Sequence, residues 1–299
     1  MSSQPEDDAG LPASGAALHG VCLVVAYDGT GFHGWARQPN VRTVQGVLEG
    51  AVSAMSGKET LTRGAGRTDR GVHAMGQVAG FDSARLIPAE GWLRGLNQKL
   101  PSDLVVRQSR ACAPGYNPRF DAVDKTYRYV FLVDRERDPL LRDRAWRLSK
   151  RLLHPQLRDE ASPMDRLDLD AMREAARALH GTHDFRAFRA ADDDRENATR
   201  TIHSLVFTPA FQGDERLLAM TVRGSAFMKN MVRILAGTLL EVGRGKLSPA
   251  RFSSQAEAPN QPNLLGPLAK RESAGQTAPA EGLTLLEVRV GREDVARRA

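Results

Sequence analysis

The chain has 299 residues, enough for one large domain or two smaller ones. Hydrophobic residues make up 41% of it, which supports an ordinary core, and the formal net charge is +6. Only seven of the basic residues are lysines; an arginine-led excess suits phosphate and base recognition, and it fits equally a modestly basic protein with no such partner. Two cysteines, Cys22 and Cys112, exclude a disulfide framework and a cysteine zinc site and suit a reducing cytoplasm. No stretch approaches the roughly 20 apolar residues of a membrane span. The first residues show no basic region followed by an apolar run, so no secretory signal is expected.

Residues 1–17 are rich in Ser, Pro, Asp, Ala and Gly without periodicity, which predicts a disordered tail. Val21–Ala26 is apolar and β-branched and ends at the turn signal Asp28-Gly29, the pattern of a buried strand. Thr43 predicts the N-cap of a helix with Val44, Val47, Leu48, Ala51, Val52 and Met55 on one face and Gly57 as its stop. A short strand over Thr60–Arg63 leads into a Gly-rich connection, and Gln77–Phe81 predicts the next strand. A helix over about Pro88–Leu100 puts Trp92, Leu93 and Leu96 together. Pro101 breaks it, and Leu104–Gln108 returns as a strand.

Lys125–Val133 alternates most clearly, with Tyr127, Tyr129, Phe131 and Val133 on one face and Thr126, Arg128, Val130 and Leu132 on the other. Residues 134–166 are polar, basic and proline-punctuated and predict an arm or insertion without a core. Asp168 caps a helix carrying Leu169, Met172, Ala176 and Leu179, and Gly181 ends it. His180 and His183 stand three apart with no third ligand at suitable spacing, so no metal is expected. Ile202–Phe207 and Leu217–Val222 predict paired strands. Ser225 predicts the cap of a helix burying Phe227, Met231, Ile234, Leu235, Thr238 and Val242. Arg233 sits among these apolar positions, and a buried arginine requires a carboxylate partner. Residues 250–278 form a polar, Pro/Gln-rich variable segment, Ala280–Val288 predicts a last strand, and 293–299 is a charged tail.

The Gly-rich connection, Gly64–Ala74, holds three glycines, two arginines and one carboxylate. If Arg67–Asp69 runs extended, Arg67 and Asp69 share a face, and a guanidinium beside a carboxylate favours its ionised form. An ionised aspartate on such a loop can serve as nucleophile or general base. A tight loop held by a local Arg–Asp pair gives the same string. The run carries neither the Gly-Lys-Ser/Thr of a P-loop nor a G-x-G-x-x-G fingerprint, since Asp69 stands where the third glycine belongs.

Gly66–Ala74 resembles the G-R-T-D-x-G-V-H-A signature of the TruA family of tRNA pseudouridine synthases. Tyr27–Gln38 is similar to the family's Y-D-G-x-x-x-x-G-W-x-R-Q, and Tyr116–Ala122 to its F-[HN]-A-R-F-x-A. Lys125–Tyr129 matches K-x-Y-R-Y, Phe227–Gly237 looks like F-[LV]-[HY]-[HN]-M-V-R-x-[IL]-x-G, and Ala280–Val288 looks like A-x-G-L-x-L-x-x-V. The resemblance runs from about Val21 to Val288.

The resemblance implies an α+β pseudouridine synthase fold. Two similar halves, 18–118 and 119–292, lie around a mostly antiparallel central sheet with helices on its faces and a cleft between the halves. It implies Asp69 as catalytic nucleophile, Arg233 holding it charged, and Tyr127 against the target base. Arg67 is expected to support Asp69 as well. Arg70 stands where the family usually has alanine and can add a phosphate contact. Arg107, Arg110 and Arg119 are candidate phosphate contacts or plain surface charge. The implied substrate is tRNA, modified in the anticodon stem-loop, with no cofactor or metal, by a cytoplasmic homodimer. The alternatives are a tRNA-binding protein without catalysis and a related synthase acting on another RNA.

Overall fold

The structure, a computed structural model, describes residues 18–157, 159–193, 196–252 and 263–291. The expected tails, 1–17 and 293–299, lie outside the described residues. In chain order the elements are β1 (His19–Tyr27), α1 (Val44–Ser56), β2 (Arg63–Gly64), β3 (His73–Ser83), α2 (Ala89–Lys99), β4 (Leu104–Cys112), α3 (Pro118–Asp121) and β5 (Ala122–Leu132). They continue with β6 (Trp146–Arg147), α4 (Leu169–Ala178), β7 (Gly181–Asp184), β8 (Thr199–Pro209), β9 (Leu217–Gly224), α5 (Met231–Gly243) and β10 (Leu283–Val290). All the described strands join one sheet in the order β4-β1-β3-β10-β5-β9-β8-β7, with β2 on β3 and β6 on β5.

The pairing is antiparallel except at β5–β6 and at the central seam, where β10 runs parallel to β3. That seam is short: His73 pairs with Thr284 and Ala74 with Leu285. The register between β1 and β3 shifts between Val25 and Tyr27, next to the seam, a place where bulges commonly re-aim side chains. Tyr27, Ala74, Leu285, Tyr127, Val222 and Leu205 therefore form one row across the sheet.

The helices of both halves bury their apolar stripes in one continuous core on the face of that row. Val44, Leu48 and Val52 of α1 and Trp92 and Leu96 of α2 pack there, as do Met172 of α4 and Ile234, Leu235 and Leu239 of α5. α1 forms where its signals stand: the Thr43 hydroxyl accepts from the Gly46 N–H, and Gly57 closes the helix at φ 79°. Asp168 caps α4 by accepting from the Ala171 N–H. On the opposite face of β5, Val130 and Leu132 meet only a small cluster with Ala145 and Leu217.

Three expectations are corrected. The strand sought at Thr60–Arg63 is the two-residue β2 at Arg63–Gly64. Ser225 does not cap a helix, because its N–H donates to the Thr201 carbonyl and prolongs the sheet; α5 begins at Met231, after Asn230 at φ 59°. Segment 134–166 does not stand clear of the core, because Trp146, Leu148 and Leu153 are buried in it and β6 extends the sheet beside Phe131 and Leu132.

Away from the helix face, the buried Asp124 carboxylate of β5 accepts from Arg223 Nε of β9 at 3.2 Å and from Arg289 Nε of β10 at 3.0 Å. Both arginines are about half exposed, so solvent screens part of the attraction. Asp124→Ala is expected to lower unfolding free energy by about 2 kcal/mol, read by urea denaturation. A loss under about 0.5 kcal/mol, the scale of an ordinary surface substitution, would remove this stitch from the account.

Candidate active site

The Gly-rich connection lies on a bed made by the end of β1 and the turn after it. The Tyr27 hydroxyl meets Thr68 Oγ1 at 2.8 Å, and the Trp35 N–H donates to the Thr68 carbonyl at 3.0 Å. The Gly71 N–H reaches the Phe32 carbonyl, and the Gly29 N–H donates to His73 Nδ1 at 3.0 Å. Gly34 permits this contact. It sits at φ +89°, and a Cβ there would stand 2.6 Å from the Thr68 carbonyl oxygen. From the other side, Lys125 Nζ donates to the Ala65 carbonyl at 3.1 Å and Gln77 Nε2 to the Gly66 carbonyl at 2.9 Å.

Pinned through Thr68, the loop presents Asp69 at its turn, where the Asp69 carbonyl accepts from the Val72 N–H. Arg233 arrives from the first turn of α5. Its Nε donates to the Ala278 carbonyl at 2.7 Å and its Nη1 to Asn230 Oδ1 at 2.8 Å, leaving Nη1 3.8 Å from Asp69 Oδ2. That is an ion pair without a hydrogen bond. Arg233 is 18% exposed and Asp69 34%, so the pair stays partly open to solvent. Asn230 adopts the left-handed conformation that asparagine tolerates better than most residues, and it turns its side chain onto Arg233.

Tyr127 is buried on the same face, its ring edge-to-face with Phe227 at 5.2 Å between centroids. Phe227 sits on the stretch between β9 and α5 that the wrongly expected helix would have occupied. That stretch also carries Lys229, which pairs with Asp192 at 2.6 Å and lies within electrostatic reach of Asp69.

These surroundings set the charges. Burial pushes the Asp69 carboxyl above its ordinary value; Arg233 and then Lys229 pull it down, and Asp192 opposes them. Burial raises the Tyr127 phenol, with Tyr27 and Asp69 adding to the effect, so it stays protonated at neutral pH. Lys125 is lowered by burial and by Arg119. His73 is lowered chiefly by burial and then by Arg144. A carboxylate with a raised affinity for protons, a steady arginine and a neutral phenol can together attack or deprotonate a sugar carbon and hold a planar base.

The structure thus brings Asp69, Arg233 and Tyr127 together from both sides of the seam. It does not bring Arg67 to Asp69. Arg67 is exposed and makes no ion pair with it, while Asp69 pairs with Arg233. Arg70 and Arg119 are exposed. Arg107 and Arg110 lie on β4, the outer strand, two strand spacings or about 10 Å from β3. Sequence reasoning missed the Tyr27–Thr68 bond, Lys125 and Lys229. The signals present were a tyrosine closing an apolar strand and a lysine opening the clearest strand.

A carboxylate, an arginine and a buried phenol on one face of a long, mostly antiparallel sheet define an α+β protein with a candidate acid–base site. The comparisons make the class specific. The model of a family described as tRNA pseudouridine synthase matches residues 23–121 and 175–289. The tRNA pseudouridine synthase A of Geobacter sp. (strain M21) is 40% identical over 271 residues, 91% of this chain and 98% of that protein. That of Bacillus subtilis is 41% identical over 266 residues, 88% of this chain and 96% of the relative. The chain belongs to the tRNA pseudouridine synthase family.

The bed predicts the effect of filling Gly34. Gly34→Ala should destabilise by about 1–3 kcal/mol from backbone strain alone and should displace the 68–73 loop. Thermal unfolding together with amide exchange at Gly71 and Val72 checks this. Wild-type exchange in the variant would mean that the loop does not depend on the bed.

Proposed function

We propose that this chain converts uridine to pseudouridine in the anticodon stem-loop of tRNA, with Asp69 as the reacting carboxylate. One observation carries the residue assignment. The only carboxylate of the signature loop pairs with an arginine and lies within electrostatic reach of a buried tyrosine, both from the other side of the sheet's seam.

In this reaction the N1–C1′ bond breaks, the uracil turns, and C5 bonds to C1′ with loss of its proton while N1 gains one. Asp69 begins it by attacking C1′ or by taking the C2′ proton, and both routes use the ionised form. Arg233 keeps that form accessible inside a partly buried cleft. Tyr127, held protonated, packs the base and offers a proton donor near the turning ring. The target base must leave its stack to reach a residue at this depth. Arg70 and Arg119, both exposed, serve the RNA backbone in this reading, with Arg107 and Arg110 further out on the rim.

The reaction transfers no electrons and no phosphoryl group, so the reading includes neither cofactor nor metal. Among the described residues no helix is long and apolar enough to cross a membrane, and we place the chain in the cytoplasm as a homodimer with one tRNA lying across both subunits. The test compares wild type and Asp69→Ala on an unmodified tRNA transcript, mapping pseudouridine by position. Wild type should modify the anticodon arm, and the variant should bind with similar affinity and form no product. Product from Asp69→Ala would remove the nucleophile assignment. Binding without product from either protein would favour the non-catalytic tRNA-binding alternative.

A further inference from the structure

Segment 134–166 lies between the two stretches that match the family, 23–121 and 175–289, yet one of its side chains reaches the bed of the reactive loop. Arg144 Nη2 donates to Asp28 Oδ2 at 2.6 Å and Nη1 to Asp28 Oδ1 at 3.0 Å, a two-pronged pair. Nη1 also lies 3.2 Å from His73 Nδ1. Asp28 in turn accepts from the Thr30 N–H and hydroxyl at 3.0 and 2.6 Å, fixing the turn that supports the loop. His73 Nδ1 accepts from the Gly29 N–H, so its proton is assigned to Nε2, which donates to the Glu281 carbonyl at 3.2 Å.

Arg144 is firmly mounted. Its N–H and that of Ala145 donate to the Leu141 carbonyl, Ala145 is buried, and two residues on, Trp146 and Arg147 pair with β5. The guanidinium therefore spans from the β5 side of the seam to the end of β1. Next to Asp28 in the same bed, Tyr27, together with Trp35, holds Thr68, the neighbour of Asp69.

We propose that Arg144 is a positioning residue for Asp69: by locking Asp28 and His73, it fixes the turn on which the reactive loop rests and so sets where the carboxylate points. The proposal rests on the functional reading above for its kinetic consequences and on the geometry alone for its structural ones. Arg144 touches no reacting atom, so its loss should lower turnover and leave RNA affinity in place. Small displacements of a reacting group cost one to two decades in rate.

The experiment measures kcat and KM for a tRNA transcript, and amide exchange over residues 68–73, in wild type, Arg144→Ala, Arg144→Lys, Asp28→Asn and the Asp28→Asn/Arg144→Ala double variant. Arg144→Ala is expected to lose roughly tenfold in kcat with KM within about twofold, and Arg144→Lys to recover part of the loss. Asp28→Asn should resemble Arg144→Ala, and the double variant should be no worse than either. Exchange at Gly71 and Val72 should quicken about tenfold.

A wild-type kcat, a raised KM at unchanged kcat, or additive losses in the double variant would overturn the proposal. A raised KM alone would make Arg144 a phosphate contact. Should Arg144→Ala fail to fold, the isosteric Asp28→Asn carries the same test with the same outcomes. Amide exchange is read on the protein alone. Unchanged exchange in the variants therefore overturns the proposal even on a protein without synthase activity, and a wild type that forms no pseudouridine counts against the functional reading only.

Discussion

The ion pair of Asp69 and Arg233 is the contact around which the rest of this molecule is arranged. The sheet is continuous, but among the described residues the two sides of its seam, β3 and β10, meet at only two ladder positions, His73 with Thr284 and Ala74 with Leu285. Backbone pairing that short does little to fix the relation of two halves, so side chains must. Asp69 meets Arg233 across the seam, Lys125 reaches the Ala65 carbonyl, His73 reaches the Glu281 carbonyl, and Arg144 clasps Asp28. Each tie joins a residue of the loop or its bed to one of the other half. Asp69 stands at this junction, and any change in how the two sides of the seam sit would move its carboxylate.

The electrostatics follow from this placement. Burial alone would favour a protonated Asp69, and the cations oppose it without reversing the balance. The folded state therefore holds this proton more tightly than the unfolded chain does. Ionising Asp69 costs stability, and the cost grows as pH rises from the ordinary carboxylate value through the raised one. In the role proposed for Asp69 such a cost is usual, because reactivity there needs a charge in a place that does not welcome it. Burial acts on the Tyr127 phenol in the same direction, and Tyr27 and Asp69 add to it, so the phenol stays neutral across this range.

Much of the fold was legible because its signals are local. α1 carries a threonine cap, a 3.6-residue apolar stripe and a terminal glycine, and it forms between them. β5 alternates along its length, and its two faces enter two different clusters. The errors came where a distant partner decides. Ser225 has the right side chain for a cap, but its N–H is taken by Thr201 in a strand more than twenty residues away in sequence. Arg67 stands two residues from Asp69, yet Asp69 takes its partner from distant Arg233 and Arg67 stays in solvent. The 134–166 segment reads as polar in bulk, and a few apolar residues, Trp146 and Leu148 among them, seat it on the core. The candidate site was legible as a set of residue types in a recognisable string; the bed, the stretch bearing Phe227 and Lys229, and Arg144 depend on register and could not be read from spacing.

The most direct test is the titration of the Asp69 carboxyl itself, followed by carbon-detected NMR in wild type and in Arg233→Gln. The account predicts a wild-type value above the ordinary aspartate range, because burial outweighs the neighbouring cations, and a higher value still in the variant, because the nearest cation is gone. An Asp69 indifferent to the loss of Arg233 would show that the two do not form the pair across the seam, and one that titrates like a free aspartate would show that burial does not outweigh the cations around it.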